Sequence, residues 1–159
     1  MICAVGIELS LFDEVGEVVR GSVPRTLGEV HCQPRAYGIK VWFGPSKPPR
    51  EHYEAQVISP HAVEGATVLG LEIGFHAEHP KVGDNDRVLG LLLKAEKRWR
   101  KVLGTDAVAG PFLGRADLWR RVSETWADPD LGEPDLGMEV ASRLADYIDA
   151  LEPLLRAGA

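Results

Sequence analysis

Five residues of this 159-residue chain have the types and spacing to do chemistry: Lys40, Glu54, Gln56, Glu72 and His76. Carboxylates on neighbouring strands can hold Mg²⁺ or Mn²⁺, and such an ion activates water and steadies the charge on a phosphoryl centre. In that reading Glu54, Glu72 and His76 are the metal ligands. Gln56 or Lys40 stands beside the scissile phosphate. Gly70 and Gly74 flank Glu72 in the stretch GLEIGFHAEHP (residues 70–80), leaving room either for a ligand or for a close backbone approach.

A plainer reading competes with it. Antiparallel sheets commonly show water one polar face, where alternating charges make modest cross-strand pairs. On this view the same residues are the solvated side of a sheet, and this is the favoured expectation. His76 and His79 are three apart, but Gly74, Pro80 and Gly83 mark a strand end and a turn rather than the helix that a zinc triplet requires. His31, His52 and His61 have no partner at ligand spacing, so the histidines read as surface polar groups. Asp128, Asp130 and Glu139 imitate three positions of a calcium loop. Gly132, Glu133, Pro129 and Pro134 break that pattern, and DPDLG–EPDLG reads as a turn-forming linker. KAEKRWRK reads as a solvated helix end.

The elements that must position these residues follow from periodicity. Leu11, Val15, Val18 and Val19 share one side of a short helix over 11–20. Alternation with β-branched and aromatic residues then predicts four strands, at about 27–33, 37–43, 52–58 and 67–76. Their short links suit antiparallel pairing, because parallel strands need long crossovers. One face collects Val30, Cys32, Ile39, Val41, Phe43, Tyr53, Ala55, Val57, Leu69, Leu71, Ile73 and Phe75. The other collects Glu29, His31, Lys40, Trp42, His52, Glu54, Gln56, Glu72 and His76. After residue 80 the pattern turns helical. A helix capped by Asp84, Asn85 or Asp86 carries Val88, Leu92, Ala95, Trp99 and Val102 to a stop at Gly104. Segment 107–113 is either a fifth strand or a core crossing. ADLWRRVSETW (116–126) reads as a shorter helix, and a long terminal helix follows Pro134, with Met138, Ala141, Leu144, Ala145, Ile148, Leu151 and Leu155 as its stripe. Pro153 is expected to kink or end it.

The order helix, strands, helix, with Glu54-Ala55-Gln56 on a strand, resembles the PD-(D/E)XK nuclease plan over roughly residues 11 to 105. In that plan an acidic residue stands two positions before a Lys, sometimes a Gln, and follows an Asp at the end of the preceding strand. The resemblance implies a metal-dependent phosphodiesterase. YGIKVWFGP has no acidic residue, so the metal pair would have to be rebuilt from Glu72 or Glu29.

Composition bounds the remaining classes. A single domain over 1–159 is expected, since a chain of this length can bury roughly 70% of its unfolded surface without disulfide or structural metal. The net charge of −6 opposes a phosphate backbone and argues against a dedicated nucleic-acid binder. No apolar run is long enough for a membrane helix, and the N-terminus has no basic export signal. Cys3 and Cys32 lack CxxC spacing and read as reduced thiols of a cytoplasmic protein. The expectation is an α+β domain, an antiparallel sheet of about four strands over 27–76 with a short N-terminal helix and three C-terminal helices on one face. Its leading functional reading is an acidic accessory or chaperone-like module without cofactor, self-associating or binding a protein partner through the terminal helix. The alternative is the metal-dependent phosphodiesterase above.

Overall fold

Strict alternation from residue 30 to 77 produces strands with two unlike faces, and these strands pair edge to edge. The computed structural model describes the backbone of residues 2–158 and the side chains of residues 11–158, so the Cys3 thiol lies outside what is described. An opening helix α1 (Ile2–Ser22) leads into strands β1 (Val30–Arg35), β2 (Gly38–Phe43), β3 (Glu51–Ile58) and β4 (Gly70–Ala77). Helices α2 (Val82–Lys94) and α3 (Glu96–Leu103) follow, then strands β5 (Val108–Phe112) and β6 (Arg115–Ala127), and the terminal helix α4 (Leu136–Gly158). The fold is α+β. Its six-stranded sheet is antiparallel throughout, in the order β1-β2-β3-β4-β6-β5, with one helix before the strands and three after the first four.

The register keeps like faces together. Lys40 lies opposite Glu54, His52 opposite His76, and Gln56 opposite Glu72. Tyr53 faces Phe75, and Ala55 faces Ile73, on the other side. Helices α1 and α4 cover this apolar face, where Phe12, Val15, Val19, Leu144, Ile148 and Leu151 are fully buried with Val41, Leu71 and Ile73. Pro34 and Pro111 sit on the two edge strands, β1 and β5, where a missing N–H costs no ladder bond.

The structure corrects the sequence in several places. Residues 116–126 are not a helix but the body of β6, pairing with β4 from Ala127 opposite Gly70 to Arg120 opposite Ala77. The Leu118–Val122 spacing suits either period, and pairing decides it. Val122 and Glu124 turn toward the helices, and Arg121 and Ser123 toward the polar face. Segment 107–113 contains the fifth strand, β5. The helix expected through Gly104 is broken at Ala95 (φ −105°, ψ 14°), which re-aims its second half and buries Leu103 while Val102 stays exposed. Its N-terminus is at Lys81 and has no side-chain cap. Asn85 is instead buried, accepting from His79 N–H at 2.8 Å and donating to the carbonyls of His79 (3.0 Å) and Leu118 (2.8 Å). In α4 Met138 is exposed, and the helix runs through Pro153 to Gly158. No described helix is long and apolar enough to cross a membrane.

Candidate metal centre

The polar face of the sheet is not the solvated surface that alternation suggests. His52 is 2% exposed, His76 and Glu72 0%, and Glu54 8%. On the His76 and Glu72 side the cause is β6, together with the β5 strand it carries. These two strands extend the sheet beyond β4 and bring Phe112 across the ring of His76 at 4.6 Å between centroids, with Trp119 packed on Phe112 at 5.3 Å. Gly74 makes the approach possible. It adopts φ 155°, and a Cβ there would lie 2.4 Å from the Val122 carbonyl oxygen and 2.5 Å from the Ser123 Cα. The space that Gly70 leaves is likewise filled, by Val63, so neither glycine opens a ligand cleft above Glu72.

Strand periodicity brings the site together. His52 and Glu54 are two apart on β3. Glu72 and His76 are four apart on β4, and the same face continues one step past the strand to Glu78, whose N–H donates to the Arg50 carbonyl at 2.8 Å. One ligand atom each from His52, Glu54 and His76 lies within 4.8 Å of the others. His52 Nε2 is 3.8 Å from Glu54 Oε1 and 3.2 Å from Glu78 Oε2; His76 Nδ1 is 3.5 Å from Glu54 Oε2 and 3.4 Å from Glu78 Oε2. A metal bonded at 2.0 to 2.1 Å to nitrogen and oxygen sets neighbouring tetrahedral ligand atoms about 3.3 Å apart, and the four contacts here run from 3.2 to 3.8 Å.

The two imidazoles are oriented from behind. His52 Nδ1 lies 3.0 Å from the Pro49 carbonyl oxygen, which can only accept, so Nδ1 donates there and Nε2 is left facing the cluster. His76 Nε2 lies 3.1 Å from Glu72 Oε2. Glu72 is in turn fixed by Gln56 Nε2 (2.9 Å) and Ser123 Oγ (2.7 Å), and Arg121 donates to that same hydroxyl at 2.9 Å. Metal-binding histidines are held in this way, with the distal nitrogen on a carbonyl or carboxylate. His52 Nε2 and His76 Nδ1, which face the cluster, and His76 Nε2, which faces Glu72, are all buried without a hydrogen bond of acceptable geometry. The carboxylates are near them at poor angles, so the attraction is Coulombic.

Charge is crowded here. Burial opposes the His76 imidazolium, but Glu72 beside it, with Glu78 and Glu54, outweighs burial and raises its pKa to about 10. Burial raises the Glu72 carboxyl, yet His76, Gln56 and Ser123 bring it down to about 2. Glu78 is held below the usual carboxylate range, burial being overcome by His52 and His76. Glu54 is raised, because its burial exceeds the help it receives from His76, His52 and Lys40. Three carboxylates thus surround one buried cation, with Lys40 Nζ at 3.9 Å from Glu54 Oε1.

The sequence-derived candidates occupy distinct places. Glu54 and His76 face each other across the cluster. Glu72 reaches it only through His76, and Gln56 is committed to Glu72. Lys40 stands at the outer edge of Glu54. His52 and Glu78 belong to the cluster but were not picked out from sequence; the signal for both was the period-2 continuation, 52 with 54 and 76 with 78. His79 pairs with Glu51 at 2.7 Å. His31 stacks on Trp42 at 5.5 Å between ring centroids. No protein family, curated protein or solved structure matches this chain.

Proposed function

We propose that this protein binds a single divalent transition-metal ion on His52, Glu54 and His76, with Glu78 as a fourth ligand and Glu72 as the group that orients His76. The observation that carries this reading is that His52 Nε2 and His76 Nδ1 are buried without a hydrogen bond and face the Glu54 and Glu78 carboxylates, with one ligand atom each of His52, Glu54 and His76 within 4.8 Å of the others. Two imidazoles with carboxylates suit Zn²⁺ or Fe²⁺ better than Mg²⁺ or Ca²⁺, which prefer oxygen alone. A Mg²⁺ or Mn²⁺ centre of the nuclease kind draws on Glu54 and Glu72 together. Here they lie on opposite sides of His76, so the donor set supports a histidine-based centre instead. The case for self-association through the terminal helix is weakened, because the apolar stripe of α4 is used inside the chain: Val140, Leu144, Ile148 and Leu151 are buried against its own sheet and helices.

The test is calorimetric titration of the EDTA-treated protein with Zn²⁺, beside His52→Ala and His76→Ala. One equivalent should bind, and both variants should lose it. At about 100 times the dissociation constant the ion adds roughly 2.7 kcal/mol, raising the melting temperature by about 5 to 10 °C. Absence of stoichiometric binding of Zn²⁺ and Fe²⁺ by the folded wild-type protein overturns the reading.

A further inference from the structure

Beside the cluster a cavity of about 260 Å³ is lined by Lys40, Glu54 and Gln56, together with Arg35 and Tyr37 from the β1–β2 connection. Glu54 is the one member of the cluster that lines it, so the cavity meets the candidate centre at that carboxylate. Its charge is unlike that of the whole molecule. The chain carries a net −6, yet this concavity has two cationic side chains and one acidic one. Arg35 donates to the neutral amide of Gln33 at 2.9 Å, which leaves its charge uncompensated. The partner of Lys40 is Glu54, at the long separation of 3.9 Å, with the Lys40 side chain 21% exposed. Once Glu54 ligates a cation its charge is neutralised there. Lys40 and Arg35 are then two positive charges facing a small cavity with no free acid in it.

Resting on the metal reading above, we propose that this cavity takes a small anion, a phosphate monoester or a carboxylate, held by the ammonium of Lys40 and joining the metal as a fifth ligand beside Glu54. An oxyanion with two or more oxygens can bridge a metal and an ammonium, because each oxygen offers a separate lone pair. The volume admits a small metabolite headgroup, at or below the lower end of ordinary ligand pockets. Lys40 serves as a point charge for the anion.

Co²⁺ replaces the proposed metal and reports its ligands by visible absorption. The Co²⁺-loaded full-length protein is titrated with inorganic phosphate and, separately, with acetate, in the wild type and in Lys40→Met and Arg35→Met. The expected result is a saturable spectral change with at least one anion, its affinity weakened about tenfold or more in Lys40→Met and less in Arg35→Met. Response to phosphate alone or acetate alone identifies the class. Equal affinity in wild type and Lys40→Met, or bound Co²⁺ with no response to either anion, overturns the anion site and leaves the metal reading standing. Failure to bind Co²⁺ removes both together.

Discussion

The carboxylate of Glu72 and the imidazole of His76, four residues apart on one face of β4, meet at 3.1 Å with both side chains fully buried. Ser123 from β6 and Gln56 from β3 hold that carboxylate from either side, at 2.7 and 2.9 Å. The pair is therefore built across three strands, and its outer partners fix where His76 Nδ1 points. Glu72→Gln should retain the fold and one metal equivalent while weakening metal affinity about 10- to 100-fold, as outer-shell changes do. Calorimetry checks this. Complete loss of stoichiometric binding would make Glu72 a ligand.

Gly74 sets the distance between β4 and β6. With φ 155° and the Val122 carbonyl oxygen 2.4 Å from any added Cβ, Gly74→Ala must move backbone, since there is no flexible side chain to yield. The expected loss is about 2 to 4 kcal/mol, combining positive-φ strain with overpacking. Urea denaturation measures it, and a change below about 0.5 kcal/mol would show that β6 is free to shift.

On the helical side of the same sheet Glu124 is buried, taking Arg143 Nε at 2.7 Å, Tyr147 Oη at 2.9 Å and Trp126 Nε1 at 2.8 Å. Arg143 also donates to the Leu103 carbonyl, tying α3 to α4. Burial, and then the charge of Glu124, keep the Tyr147 phenol far above its ordinary pKa, so it donates at any working pH. Arg143→Met strands a buried carboxylate and should cost about 3 kcal/mol, whereas Tyr147→Phe should cost about 1 kcal/mol. In a double-mutant cycle by urea unfolding the two losses should not add, because both act on one oxygen of Glu124.

Asp128 has φ 49°, and its carboxylate accepts the backbone N–H groups of Thr67, Val68 and Leu69 at 2.7 to 3.1 Å. Those bonds, in the order Val68, Thr67 and Leu69, lower its pKa from 3.8 to about 2. A depressed carboxyl contributes stability above its unfolded pKa and loses it as pH falls through the folded one. Asp128→Asn tolerates the same backbone, so it isolates the charge. The stability difference between wild type and variant should be constant above about pH 5 and shrink between about pH 5 and 2. Thermal melts across that range test it, and a difference unchanged at pH 2 would contradict the assignment.

Much of this was legible before any coordinates. Alternation placed Glu54, Glu72 and His76 on one face because side chains in a strand repeat every two residues, and the hairpin links fixed antiparallel pairing among the first four strands. Asp128 and Asp130 lie in the connection between β6 and α4, as the DPDLG–EPDLG linker reading expects, while Glu139 is in the first turn of α4; the use of Asp128 as a clamp on residues 67–69, some sixty positions away, left no trace in local spacing.

Composition and period thus determined an α+β chain with a two-faced antiparallel sheet, an amphipathic terminal helix and a polar cluster of the right residue types. Tertiary structure decided whether that polar face met water. Residues 116–126 fit a helix about as well as a strand, and only their pairing with β4 turned them into the element that, with Phe112 and Trp119, buries the cluster. Burial changes the chemistry: the same histidines that would be unremarkable in solvent become unsatisfied nitrogens among three carboxylates, because an interior offers no water to complete their hydrogen bonds.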